Sequence, residues 1–210
     1  YSRTYPNLLT QEGIRGNEEF PSATHNTILP FTRMICGAGD YTVCYFDPRL
    51  KNTHAHQLTF PVMYFSPLQT LYWYDTPARI KDVPELEFFD NVPVVWDETK
   101  VVDDAIGEHV VIARRSGAEW FAGAITNDEG RRLSVATGFL EQDKDYVIRV
   151  YADDPSSDSP TKVKCARYIV KGGQVLTFDL QPKGGAAMHF IPAEKADLKA
   201  YKRLKVKDVL

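Results

Sequence analysis

The chain has 210 residues, 43% hydrophobic and 12% aromatic, with 25 Lys and Arg against 28 Asp and Glu for a formal net charge of −3. That apolar content is enough to build a core, and the absence of a dominant basic stripe argues against a nucleic-acid partner. No apolar run reaches the roughly 18 residues a membrane span needs, and no signal peptide is visible. The sequence opens on Tyr1 rather than Met, so it is expected to be processed or truncated. Its three cysteines, Cys36, Cys44 and Cys165, form no C-x-x-C pair, and an odd number makes a poor disulfide framework. They read as buried thiols.

In chain order, "NLLTQEG" reads as a short strand ending in a loop. "HNTILPFTRMICG" is apolar but interrupted by Pro30, and "GDYTVCYF" reads as another short strand after a Gly-rich turn. "THAHQLTFPVMYFSPLQTLYWY" has the apolar density of a buried helix, which Pro61 and Pro67 kink or split. This alternation of strand and helix is the α/β pattern. Residues 76–100, with Pro77, Pro84 and Pro93 among acidic residues, read as an ordered connector with a short helix around Glu85–Phe89. Beyond residue 100 the sequence becomes strand-like. "HVVIARR" and "EWFAGAIT" are joined by "SGA" as a hairpin, and "YVIRVYAD" alternates at period two. "TKVKCARYIV", "QVLTFDL" and "AAMHFIP" follow between Gly-containing turns, so residues 101–192 are expected to form an antiparallel β-sandwich. The charged tail, 193–210, reads as a helix or, the favoured expectation, as a solvated, frayed end.

The strongest local signal for chemistry is Glu12-Gly13-Ile14-Arg15-Gly16-Asn17-Glu18. Two carboxylates flank a Gly-containing loop straight after an expected strand, where barrel enzymes carry their active sites. Arg15 would lower the pKa of either carboxylate it paired with. Converging carboxylates can bind a hard cation, act in acid–base catalysis, or serve as solvated surface charges; spacing alone favours the last. His54 and His56 are two apart, and helical residues at that spacing do not share a face, so they read as structural rather than as a zinc site.

"QEGIRGNEEF", "THNTILPFTRMICGAGDYT", "HAHQLTFPVMYFSPLQ", "VPVVWDETKVV" and "IGEHVVIARRSGAEWFAGAIT" occur in the order found in glycoside hydrolase family 97, which the chain resembles over roughly residues 7–155. The resemblance implies the C-terminal part of a (β/α)8 TIM barrel in residues 1–75, then the connector, and then the β-sandwich: an α/β plus all-β fold. It implies a calcium-dependent α-glucosidase or α-galactosidase, periplasmic or secreted, acting on an oligosaccharide or α-glycoside. By that resemblance Glu18 is the general acid, and Glu12 and Glu18 are calcium ligands. His25 and Asn26 are candidates for substrate hydrogen bonds or for holding the loop. Asp40 shapes the pocket or caps the next element.

Glycosidases of this type need a second carboxylate, and the resemblance places it on an earlier barrel strand, before Tyr1. A full barrel takes about 250 residues, so the expected partners include the rest of the barrel and an N-terminal β-sandwich. The rival expectation is a non-catalytic carbohydrate-binding β-sandwich in which exposed Tyr and Trp residues stack on sugars.

Overall fold

A computed structural model describes residues 21–72, 75, 76, 78, 81, 83–205 and 208–210. Eight strands form the frame: β1 (Glu98–Ala105), β2 (His109–Ser116), β3 (Glu119–Thr126), β4 (Arg131–Ala136), β5 (Asp145–Asp153), β6 (Val163–Lys171), β7 (Val175–Leu180) and β8 (Gly185–Pro192). Six of them make an antiparallel sheet in the order β1-β2-β3-β8-β5-β6, and β4 pairs with β7 in a second, two-stranded sheet. The sequence-predicted hairpin is present: Ser116 pairs with Glu119 across a two-residue turn. Gly117 takes φ +60 there, the left-handed geometry that a Gly-first hairpin turn requires.

Both faces of the large sheet are covered. One face (Val110, Ile112, Phe121, Ile125, Tyr151, Ala187) packs against the helical first part of the chain. The other (Val111, Ala113, Ala122, Ile148, Met188, Phe190) packs against β4, β7 and the tail. This explains why β2 and β3 read as continuous apolar runs, as strands buried on both sides do. It also corrects the period-two reading of "YVIRVYAD": in β5, Tyr146–Ile148 and Val150–Ala152 are buried whichever face they point to.

The first part is helical. Ser22 caps α1 (Ala23–Ile28), accepting a hydrogen bond from the His25 backbone N–H at 3.2 Å. Short 3-10 turns follow at Leu29–Phe31 and Arg33–Cys36. The expected long helix is split, as its prolines predict: α2 (His54–Leu58) ends at Thr59 and α3 (Phe60–Met63) restarts with Pro61 in its first turn. α4 (Glu87–Asn91) lies in the expected connector.

The strand expected over "GDYTVCYF" is not formed. Only an isolated bridge, Cys44 to Tyr72, stands there. Tyr41, Val43 and Tyr45 are buried, but in the same core as α2, α3 and α4 rather than in a sheet. Among the described residues both sheets are antiparallel, and no strand of a parallel barrel is seen. A lone barrel strand with no neighbour to pair with leaves its backbone groups unsatisfied, and here the partners come from the segment after α3, as in Val43 N–H to the Thr70 carbonyl.

Two further expectations are corrected. The tail is not frayed: it carries α5 (Asp197–Ala200), then bridges β6 at Ile169–Arg203 and β7 at Thr177–Val209, burying Leu204. Apolar Leu204 and Leu210 outweigh the surrounding lysines because each reaches the core beneath β4 and β7. The cysteines are free, but only Cys44 is buried.

Two glycines fix how close the helices approach. A Cβ on Gly123 would stand 2.8 Å from Met63 Cε, and one on Gly185 would stand 2.7 Å from His56 Cα. The second neighbour is backbone and cannot rotate away. Gly185→Ala is therefore expected to cost about 2 kcal/mol by forcing α2 off β8, read as a lower urea midpoint; an unchanged midpoint would refute the close packing.

Candidate functional site

The sequence-predicted acid and metal ligands, Glu12, Arg15 and Glu18, lie outside the described residues. What the structure defines is the scaffold that begins a few residues after them. His25 is exposed on α1, and Asn26, one residue on, is fully buried. The Asn26 side chain starts a run of amides: Asn52 Nδ2 donates to Asn26 Oδ1 at 3.0 Å, and Gln57 Nε2 donates to Asn52 Oδ1 at 2.5 Å. The Asn26 carbonyl also accepts from the Tyr64 hydroxyl at 2.8 Å. This run locks α1 to the start of α2. Asn52 also borders a cleft of about 490 Å³ shared with Ser22, Lys51, Thr53, Asp128 and Lys183. Across it, the Thr24 hydroxyl donates to Asp128 at 3.0 Å, tying α1 to the turn after β3.

Asp40 is buried and engaged. It accepts from the Thr70 backbone N–H at 3.4 Å and the Thr70 hydroxyl at 3.2 Å. Its carboxylate thus ties the segment after the second 3-10 turn to the segment after α3. No group of three His, Cys, Asp or Glu side chains able to hold a metal occurs among the described residues. These residues therefore do not fit a calcium site on their own, and such a site would rest on Glu12, Glu18 and groups beyond them.

His54 and His56 act as structure. His54 packs edge-on against Tyr45, with ring centroids 5.1 Å apart. His56 Nδ1 lies 3.1 Å from the carbonyls of both Lys183 and Gly184. Carbonyls only accept, so Nδ1 carries a proton. Its buried Nε2 has no partner among the described residues. Protonating it would strand an N–H in the core, and burial lowers the His56 pKa to about 4. On the other side of the same glycine pair, Asp153 accepts from Gly185 N–H at 2.8 Å, and burial raises its carboxyl to about 6.

One polar residue the sequence reading passed over is Arg114, buried in β2 at 6% exposure. Its signal was an arginine inside "HVVIARR" at the same parity as Val110 and Ile112, both core residues.

Comparison with known proteins places the chain. A family profile described as "Glycosyl-hydrolase 97 C-terminal, oligomerisation" matches residues 95–191. A retaining alpha-galactosidase from Bacteroides thetaiotaomicron is 34% identical over 209 residues, covering 89% of this chain and 31% of that protein. A family 97 enzyme from Pseudoalteromonas sp. strain K8, solved in complex with acarbose, superposes with a TM-score of 0.82 at 30% identity, over 92% of this chain and 33% of that one. The chain belongs to glycoside hydrolase family 97. It carries a C-terminal portion of the family and spans about a third of the length of these relatives. A beta-arabinopyranosidase superposes less closely, with a TM-score of 0.66 at 25% identity over 79% of this chain and 27% of that one. In this family 97 chain the mostly antiparallel β-sheet region accounts for the profile match. No helix among the described residues is long and apolar enough to cross a membrane.

The Gly184–Gly185 junction yields a pH prediction. The folded pKa of His56 lies below its ordinary 6.5, so the unfolded chain takes up its proton first and stability falls from pH 6.5 to about 4. The folded pKa of Asp153 lies above its ordinary 3.8, so the folded chain takes up that proton first and stability rises from about pH 6 to 3.8. Each effect is about 3 kcal/mol, and they oppose. Asp153→Asn should remove the compensation, so that acidification from pH 6.5 to 4 costs about 3 kcal/mol more than in the unsubstituted protein, as measured by denaturant unfolding across pH. Parallel pH profiles would refute it.

Proposed function

We propose that this chain is the C-terminal portion of a retaining α-galactosidase-type glycosidase, periplasmic or secreted, with Glu18 as its acid/base. The observation that carries the reading is the similarity to a retaining alpha-galactosidase over 89% of the chain. Retention requires two carboxyls about 5 Å apart. On this reading Glu18 gives its proton to the glycosidic oxygen while a carboxylate outside the chain bonds to the anomeric carbon and the C–O bond to the leaving group breaks. Glu18, now a carboxylate, then takes a proton from the water that cleaves the glycosyl ester.

The catalytic barrel, on the same reading, lies in the part of the polypeptide before this chain, to which residues 1–20 contribute the motif. Glu12 and Glu18 are assigned as calcium ligands; as hard oxygen donors they suit that ion. A bound cation supplies charge that lowers the pKa of the carboxyls around it. The Ser22 cap and the Asn26–Asn52–Gln57 run fix α1, which follows the motif in the sequence. The sheet region serves assembly of the enzyme, as its profile describes for the family.

The rival reading, a sugar-stacking β-sandwich, gains no support from the sheet. Trp120, Tyr146 and Tyr151 are buried, and no aromatic residue stands among the exposed large hydrophobic side chains of the described residues. Sugar stacking needs an exposed ring face.

Glu18→Gln in the full-length protein should lower hydrolysis of an α-galactoside with a poor leaving group by about 10³-fold, and a rate within a few-fold of the unsubstituted enzyme would end the assignment. Glu12→Gln should weaken calcium binding measured by calorimetry; unaltered binding would remove Glu12 from the ligand set.

A further inference from the structure

Among the described residues Arg114 is a buried cation without a counter-ion. Its Nε donates to the Val62 carbonyl at 2.5 Å and one terminal nitrogen donates to Thr99 Oγ1 at 2.7 Å. Its guanidinium carbon sits 5.1 Å from the centre of the Phe65 ring. No carboxylate pairs with it among the described residues, and burial alone brings its pKa down to about 10. A guanidinium carries five N–H donors and favours a bidentate carboxylate. A buried charge lacking such a partner is costly.

Arg114 lines an open pocket of about 380 Å³ whose other walls, Thr99 apart, are apolar, among them Phe65, Pro67, Val94, Val95 and Trp96. Val95 is 69% exposed at its rim. The pocket lies beside β1, the edge strand of the large sheet, through Thr99. Thr99 pairs directly with Arg114, and Asp104 pairs directly with Val110. Directly paired residues share a face of the sheet, and Val110 and Ile112 face the helical core. A bulge between Val101 and Asp103 keeps Thr99 and Asp104 on that same face. Asp104 is exposed and has no ion pair among the described residues.

We propose that the Arg114 pocket is a carboxylate-binding site filled by Asp104 of a second copy of this chain, in a two-fold dimer that sets β1 beside β1. A two-fold interface is made by one patch on both copies, so pocket and anion must lie on the same patch. They do: five residues, about 16 Å of strand, separate Thr99 from Asp104. A two-fold axis midway between them, beside Val101 and Val102, brings each Asp104 level with the opposite Thr99 and Arg114. Val101, 53% exposed, is then covered at the axis. The bulge breaks a continuous backbone ladder there, so side chains carry the contact. The proposal rests on the assembly role given above to the sheet region, and adds the surface and its chemistry.

The test is light scattering and sedimentation on the purified full-length protein over a range of concentrations, with Asp104→Lys, Arg114→Met and, as an exposed control, Asp158→Lys. Asp104→Lys tests the proposal even if Arg114→Met fails to fold, since residue 104 is exposed. We expect a dimer weakened at least about tenfold by Asp104→Lys and by Arg114→Met and unmoved by the control. A dimer indifferent to Asp104→Lys overturns this surface while leaving the assembly role standing. A monomer at every concentration overturns both. Hydrolytic activity, assayed in parallel, should be retained in Asp104→Lys, so failure of the glycosidase reading registers separately.

Discussion

The structure depends on one constraint: a six-stranded sheet that is apolar on both sides must be covered on both sides. Each buried side chain of the size of Val, Ile or Phe contributes about 1.5–3 kcal/mol when removed from water, and the two cores divide such residues between them strand by strand. One face is closed by α1 to α4 and the loops between them, the other by β4, β7 and the tail. The glycines at 123 and 185 let the first cover settle directly on β3 and β8. The amide run from Asn26 to Gln57 and the Asp40–Thr70 tie belong to the same cover, so the residues that follow the Glu12–Glu18 segment in sequence inherit their positions from the sheet.

The strands were legible where burial on both faces produced dense apolar runs, as in β2, β3 and β8. β4 escaped notice because "RRLSVA" is short and carries only Leu133 and Val135 toward the core, between two arginines and polar neighbours. β1 began earlier than the composition suggested, since Glu98, Thr99 and Lys100 look like connector but sit on a sheet edge where polar residues face water. The tail misled for the opposite reason: its lysines dominate the composition, while two leucines decide its position. "GDYTVCYF" had strand-like residues but no neighbouring strand, and its apolar side chains found helices instead.

Site residues divided along the same line. Spacing marked Glu12 and Glu18 as candidates and family resemblance alone gave them roles, because two glutamates around a Gly-containing sequence have no physical signature that separates them from surface charges. Asn26 and Asp40 were picked from that resemblance too, and their observed partners give both a positional role. Arg114 was missed because an arginine within a strand is expected to reach water; only the register with Thr99 and the overlying Val62 carbonyl shows that it does not.

The shared core of the helices and the sheet has a consequence for how this region holds together. The family profile spans residues 95–191, yet the surface of that stretch formed by Val110, Ile112, Phe121 and Tyr151 is sealed by residues that precede it. The stretch matched by the profile is therefore smaller than the buried core it belongs to. Transplanted alone, that stretch would carry an uncovered apolar face, so the helical cover and the sheet behave as one body in burying it.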